Sequence, residues 1–146
     1  MTGRINEDLV MTHTYQIEAG NFTLAGEAAS NIKKLLRQLG IDAKIVRRVA
    51  IAAYETEINM VIHSDGGTME VEVTPKEIVL KAWDKGPGIE DVELAMKEGY
   101  STATELAREL GFGAGMGLPN IKRCSDKFHL QSEMGQGTYL EAKFTL

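Results

Sequence analysis

The sequence predicts an α+β fold, a two-layer sandwich in which helices cover one face of a mixed, mostly antiparallel sheet. Two observations predict it. Short segments that alternate apolar and polar residues, as strands do, are separated by longer segments whose apolar residues recur every three or four positions, as in helices. Their order is strand, two helices, hairpin, loop region, helix and hairpin, and hairpin strands pair antiparallel. The 146 residues suit a single domain.

The first half of the chain is predicted to hold one strand and two helices. Met11 to Glu18 alternates as a strand does, and Asn21 to Gly40 contains a helix that stops at a glycine. Asp42 suits the N-cap of a second helix that runs to about His63. We expect residues 1–10 to be a flexible N-terminal segment. The apolar stripe of the first helix is Ala25, Ala28, Ile32, Leu35, Leu36 and Leu39.

The second half is predicted to hold two hairpins on either side of a loop region. That region contains two short helical segments, Asp91–Gly99 and Glu105–Leu110, and Pro119 fits the first turn of a later helix that ends near Asp126. The hairpins pair Thr68–Thr74 with Ile78–Trp83, and Phe128–Ser132 with Thr138–Leu146.

Bulk composition argues against several classes of function. A net charge of −5 argues against direct nucleic-acid binding, since phosphate recognition needs a basic face. Cys124 is the only cysteine, so no intrachain disulfide can form, and a reducing cytoplasm is expected. No run reaches the roughly 18 apolar residues of a membrane-spanning helix, so we expect no membrane association.

A row of polar residues lies within the otherwise apolar second helix. Glu55, Asn59 and His63 are spaced by four, which places neighbours about 6 Å apart along the axis on nearly one side. Phosphoryl transfer uses a carboxylate to orient or deprotonate a hydroxyl and a hard oxygen ligand for Mg²⁺. Glu55 and Asn59 could supply both, although a helix with a few exposed polar residues would show the same spacing.

A short glycine loop follows the first hairpin. Asp84 ends its second strand, and Gly86 and Gly88 come directly after it. Glycines allow a sharp turn and a close approach of the backbone to a ligand. A strand-end carboxylate can accept a hydrogen bond from the exocyclic amine of a base. Ordinary β-turn chemistry would also explain these residues.

A longer glycine loop, Gly111 to Gly117, has glycine at every second position and precedes a helix at Leu118 and Pro119. Free amides and the helix dipole at such a position favour an anion, so a phosphate fits there. No Gly-Lys-Ser/Thr follows, which excludes a P-loop, and the spacing is not that of a Rossmann fingerprint. A flexible linker is the alternative, although linkers rarely alternate glycine with apolar residues.

In this order the motifs resemble those of the Bergerat-fold ATPases, the GHKL superfamily of gyrases, heat-shock chaperones, mismatch-repair proteins and histidine kinases. The resemblance covers the chain from about Ile17. It implies that the chain uses ATP and Mg²⁺. The matching elements are Glu55-x-x-x-Asn59 (N-box), Asp84-x-Gly86-x-Gly88 (G1 box), Gly113-x-Gly115-x-Gly117-Leu118 (G2 box) and the terminal Gly137-Thr138.

Within that superfamily the chain most resembles the small bacterial anti-sigma factors and switch serine-protein kinases. The Glu-x-x-x-Asn-x-x-x-His row and the short lid that begins at Gly99-Tyr100-Ser101-Thr102 carry this likeness. It implies that Glu55 is the base, Asn59 holds Mg²⁺ and Asp84 reads adenine. Arg108 is the lid residue matched to the terminal phosphate, within the extra lid residues 103–111. The implied nucleotide contacts are Asn59, Asp84, Gly86, Gly88, Ser101, Thr102, Arg108, Gly113, Gly115, Gly117, Leu118 and Thr138.

The function implied by the resemblance is an ATP-dependent serine/threonine protein kinase that phosphorylates a small STAS-type antagonist protein. One alternative is an anti-sigma factor that sequesters a sigma factor. Another is an ATP-gated binding module without catalysis, against which the presence of Glu55 argues. A sensor histidine kinase would need a helical pair with a phosphoacceptor histidine, and only about ten residues precede the first strand. The sequence does not decide whether the chain forms a homodimer.

Overall fold

One five-stranded sheet and three helices make up the computed structural model, which describes residues 9–86, 96–97 and 117–146. This is the predicted α+β architecture, with the elements in the predicted order. The strands are β1 (Met11–Ile17), β2 (Gly67–Val73), β3 (Glu77–Asp84), β4 (Lys127–Glu133) and β5 (Gly137–Thr145). The helices are α1 (Glu27–Gln38), α2 (Ala43–His63) and α3 (Gly117–Cys124).

The strand order is β1-β2-β3-β5-β4, and all four neighbouring pairs are antiparallel. β3 is therefore the central strand, with β2 on one side and β5 on the other. At its end Asp84 pairs with Gly67 of β2 and with Thr138 of β5. The topology thus places a carboxylate in the middle of the sheet edge, between two backbones.

The core lies between one face of the sheet and the helices. Residues that face one another in register across β2, β3 and β5 are apolar and buried, and they form one cluster with buried residues of all three helices. The other face is mixed: it holds the 3.0 Å ion pair between Lys81 and Glu72, and also the aromatic pair of Trp83 and Tyr139. The buried residues that β2, β3 and β5 contribute to this cluster are Met69, Val71, Val73, Ile78, Leu80, Ala82, Leu140, Ala142 and Phe144.

α1 starts later and ends earlier than the periodicity of its apolar residues predicts. The helix begins at Glu27 because Gly26 has a left-handed φ of +98°, which breaks a helical path from Asn21. The helix stops at Gln38, so Leu39 lies beyond it with 41% of its surface exposed and does not join the predicted apolar stripe. The sequence prediction was wrong for Leu39, because periodicity continues past the residue where the helix ends.

The other boundaries agree with the sequence to within two residues. The Asp42 side chain accepts a hydrogen bond from the Lys44 amide at 2.9 Å, which confirms the N-cap of α2. α3 begins at Gly117, with Pro119 in its first turn as predicted. No described helix is long and apolar enough to cross a membrane. The predicted flexible segment and the helical segments 91–99 and 105–110 lie outside the described residues, apart from residues 9–10 and 96–97.

α1 has no cap from its own N-cap residue, and Glu57 of α2 takes that part. Gly26 has no side chain to accept the first amides of the helix. The Glu57 carboxylate accepts from the Ala29 amide at 2.9 Å and from the Ala28 amide at 3.3 Å, and only 3% of the residue is exposed. Since the first amides of a helix have no partner inside it, this carboxylate joins α1 to α2.

We expect Glu57→Ala to lower the free energy of unfolding by about 1–3 kcal/mol, because buried amides lose their acceptor. Glu57→Gln should cost less, since its amide oxygen can still accept. Urea denaturation of both variants measures the effect. Glu133→Ala removes an exposed glutamate and serves as the control. If Glu57→Ala were as stable as this control, the carboxylate would not cap α1.

Candidate nucleotide-binding site

The candidate site has two polar clusters, one on the second half of α2 and one at the end of β3. The first consists of Glu55 and Asn59, which are both half-buried on the side of α2 that meets the start of α3. A Cβ atom added at Gly117 would lie 2.9 Å from Asn59 Oδ1 and 3.1 Å from Glu55 Oε2. A side chain at this position would therefore require the Glu55 and Asn59 side chains to move, so glycine lets the first turn of α3 lie directly against this pair.

Burial changes the acidity of the groups in this row. Loss of solvent raises the pKa of the Glu55 carboxyl above its ordinary value and lowers the pKa of His63. A carboxylate with a raised pKa is a stronger base at neutral pH, which suits proton abstraction from a hydroxyl. His63 is half-buried at the end of α2 and makes its own interactions there.

The second cluster surrounds Asp84 at the end of β3. Its Oδ1 accepts a hydrogen bond from the Thr138 amide at 2.9 Å, which holds the carboxylate against β5. Gly137 is the residue that permits this contact. It has a left-handed φ of +118°, and a Cβ atom there would lie 2.1 Å from the Asp84 carbonyl oxygen.

The pKa of the Asp84 carboxyl lies closer to neutral pH than that of an ordinary aspartate. Burial raises the pKa of this carboxyl to about 6, the Thr138 amide opposes that rise, and the nearby charge of Asp65 adds to it. A strand-end carboxylate of this kind can accept a hydrogen bond from a ligand amine. The group is half-exposed, so a ligand can reach it.

Backbone bonds join the end of α2 to the end of β3. The Asp65 amide donates to the Lys85 carbonyl at 2.7 Å, and the Lys85 amide donates to the Gly66 carbonyl at 2.9 Å. Gly86 fits beside them with a left-handed φ of +151°. Both clusters are therefore fixed to one helix, and Glu55 lies about 13 Å along its axis from Ser64, at 1.5 Å per residue.

Gly67 and Asp65 belong to this site but were not predicted to. The sequence predicts that the second helix ends near His63 and predicts no role for these two residues in binding. A Cβ atom at Gly67 would lie 2.1 Å from the Trp83 carbonyl oxygen and 2.7 Å from the Asp84 Cα, so this glycine lets β2 pass close to the end of β3. The paired glycines at 66 and 67 were the available signal, since one glycine suffices to end a helix.

The site is compatible with a hard divalent cation bound in part by substrate. Among the described residues, no group of three or more His, Cys, Asp or Glu side chains could hold a metal. Mg²⁺ usually takes one or two protein oxygens and completes its shell with water and phosphate. Asn59 Oδ1 beside Glu55 Oε2, in a cradle that a Cβ at Gly117 would fill, matches that donor set.

The structure brings together Glu55, Asn59 and Gly117 in one cluster, and Asp84, Gly86 and Thr138 in the other. Leu118 lies in the first turn of α3 and packs against the core. The remaining predicted contacts lie outside the described residues. These are Gly88, Ser101, Thr102, Arg108, Gly113 and Gly115.

Comparison with known proteins agrees with this geometry. The histidine kinase-like ATPase domain matches residues 20–144. The chain is 31% identical to the serine/threonine-protein kinase RsbT of Bacillus subtilis, over 75% of this chain and 80% of that protein. It is 30% identical to the anti-sigma F factor of Clostridium acetobutylicum, over 67% of this chain and 70% of that protein.

Among solved structures, the SiaB-SiaC complex from Pseudomonas aeruginosa contains a similar fold. The TM-score is 0.60 over 94% of this chain and 90% of that chain, at 15% identity, a level that shows the fold alone. This chain belongs to the histidine kinase-like ATPase family. Within that family, the predicted likeness to bacterial anti-sigma factors and switch serine-protein kinases is confirmed by relatives of both kinds.

Proposed function

We propose that this chain is an ATP-dependent serine/threonine protein kinase of a cytoplasmic partner-switching module, and that it phosphorylates a small STAS-type antagonist protein. The observation that carries the proposal is the seat of Gly117 against both Glu55 and Asn59. The proposed base, the proposed metal-ligand oxygen and the first residue of α3 then meet at one point. Phosphoryl transfer needs that combination, because its catalysis is mostly positioning and charge stabilisation.

In the proposed reaction Glu55 accepts the proton of a serine or threonine hydroxyl on the partner. The hydroxyl oxygen bonds to the γ-phosphorus of ATP, the bond to the β–γ bridging oxygen breaks, and ADP leaves. The raised pKa of Glu55 brings it closer to that of a useful general base. Bound Mg²⁺ would neutralise charge on the phosphates, and Asn59 is the residue proposed to hold it.

Asp84 is the residue proposed to bind the adenine ring of ATP. Its carboxylate is held in place by the Thr138 amide and would accept a hydrogen bond from the exocyclic amine of adenine. Guanine presents a carbonyl oxygen at the corresponding position, and two acceptors facing one another repel. The site should therefore select ATP over GTP.

A second candidate function is sequestration of a sigma factor in a nucleotide-dependent way. The observation in its favour is the repeated similarity to proteins named anti-sigma F factor, at 29–32% identity. The same nucleotide site would serve both functions, so the choice between them depends on the partner and on the product.

The two functions predict different products. With labelled ATP and STAS proteins encoded near this gene, we expect label on a serine or threonine of the partner. A phosphoester of this kind survives acid, whereas a phosphohistidine does not. Glu55→Ala protein in the same reaction is the control and should transfer no label.

Other outcomes would reject the kinase. Absence of label on every partner, combined with ATP-dependent retention of a sigma factor in a pull-down, would favour sequestration. Acid-labile label on this chain itself would favour a histidine-kinase mechanism.

A further inference from the structure

The C-terminal end of α3 is held by an arginine of α2. Arg48 Nε donates to the backbone carbonyl of Cys124, the last residue of α3, at 2.8 Å. Its Nη2 donates to Asp126 Oδ1 at 3.0 Å. A cation bonded to a final carbonyl is favourable because the C-terminal end of a helix carries partial negative charge. Arg48 thus caps α3 from a neighbouring helix.

Arg48 lies on the same side of α2 as the candidate catalytic pair. It precedes Glu55 by seven residues, close to two helical turns, and Asn59 follows one turn later. α3 lies along this side, with its last residue at Arg48 and its first residue, Gly117, at Glu55 and Asn59. One row of α2 residues therefore contacts both ends of α3.

Between these ends α3 is fixed in the core by Ile121, which is fully buried. The helix has eight residues and is about 12 Å long. A short rigid helix that is fixed in its middle can only rotate about that point, so a shift of its last turn displaces its first turn in the opposite direction. Protein cores are close-packed, and such shifts are not absorbed locally.

Asp126 extends the same connection into the sheet. Its second carboxylate oxygen accepts from the Thr145 amide of β5 at 2.7 Å. That bond and the Arg48 guanidinium hold the pKa of Asp126 below its ordinary value, so the carboxylate stays charged at neutral pH. The guanidinium also lies 5.9 Å from the centre of the Phe144 ring. Arg48 therefore sets α3 against both α2 and β5.

We propose that Arg48 is a positioning residue for the phosphate half of the nucleotide site. It fixes the axis of α3, and through that axis it holds Gly117 against Glu55 and Asn59. The inference rests on the proposed function for its ligand, and on the described contacts alone for its geometry. A side chain two turns away from Glu55 thus contributes to the affinity for the phosphates of the nucleotide.

A residue that only stabilised the fold would, when replaced, lower ATP and adenosine affinity equally. The side chains of Arg48 and Asp126 are 35% and 40% exposed, and ion pairs this exposed stabilise proteins little. Loss of the pair should therefore change the melting temperature only slightly. The positioning role predicts a selective loss in the binding of phosphates, with adenosine affinity retained. Asp84 lies on β3, and Thr138 lies at the opposite end of β5 from Thr145.

The test compares three variants. Arg48→Ala should weaken MgATP binding about tenfold, because Gly117 is no longer held against Glu55 and Asn59, and should change adenosine binding less than about twofold. Arg48→Lys can make one of the two bonds and should be intermediate. Arg47→Ala is the matched control, because Arg47 is the exposed neighbour on the same helix.

A second measurement needs no nucleotide. The amide chemical shifts of Gly117 should move in Arg48→Ala and stay unchanged in Arg47→Ala. Unmoved Gly117 shifts, or equal losses of ATP and adenosine affinity, would overturn the inference. If the unaltered protein bound no nucleotide while Gly117 still moved, the proposed function would fail and the coupling through α3 would stand.

Discussion

Glu55→Ala is expected to abolish nearly all phosphotransfer while nucleotide affinity stays within about threefold of the original. A general base acts mainly in the transition state, and its contribution is about 10²–10⁴-fold in rate. The raised pKa of this half-buried carboxyl, and its contact with the first turn of α3, place it where such a base would act. Transfer of labelled phosphate to the partner, and calorimetric titration with MgATP, measure the two quantities separately.

Two further variants separate chemistry from packing at this position. Glu55→Gln keeps the size of the side chain beside Gly117 and removes its basicity, so it should be as inactive as Glu55→Ala. Asn59→Ala should lose the Mg²⁺-dependent part of nucleotide affinity as well as activity, since its oxygen is the proposed metal ligand. A Glu55→Gln protein with normal turnover would contradict the proposed mechanism and leave the fold unaffected.

Asp84→Asn is expected to weaken ATP binding by roughly 10–100-fold, the effect of losing a hydrogen bond to a charged acceptor. The asparagine can still accept from the Thr138 amide through its oxygen. It then presents an NH₂ group to the amine of adenine, and two donors face one another. Calorimetry with ATP and GTP tests this, because the unaltered protein should prefer ATP and the variant should lose that preference.

The pH dependence of binding provides an independent test of Asp84. Adenine recognition needs the ionised carboxylate, so ATP affinity should be full above a pKa of about 6 and fall as the pH drops through it. The free energy of unfolding should depend on pH in the opposite direction. Because the folded-state pKa is raised, the contribution of Asp84 to stability is present below the ordinary pKa and is lost as the pH rises through about 6.

Asp84→Asn is the control for other titrating groups, including the phosphates of the nucleotide, and its profile should lack the step near pH 6. Asp65→Asn should move the step to lower pH, because the charge of Asp65 helps to raise the pKa of Asp84. Identical pH profiles for Asp84→Asn and the unaltered protein would show that Asp84 does not read the base.

Much of this site follows from local patterns. Spacing by four on a helix places Glu55 and Asn59 on one side whatever surrounds them, and the Asp42 cap depends only on the following turn. Asp84 at a strand end, followed by glycines, is likewise a local feature. Boundaries were less predictable, as at Leu39, where the apolar pattern continues beyond the helix that Gln38 ends.

The sequence by itself determined the types of the described elements, the polar row of α2, the turn after β3 and the resemblance to an ATPase family. Only the tertiary structure decided which of these parts meet. Asp84 bonds to Thr138 across 54 positions, and Arg48 bonds to Cys124 across 76. Such pairings depend on strand order and register, which alternation along a single strand does not specify. The Glu57 cap of α1 was hidden for the same reason, because its acceptor lies 28 positions from the amide that it serves.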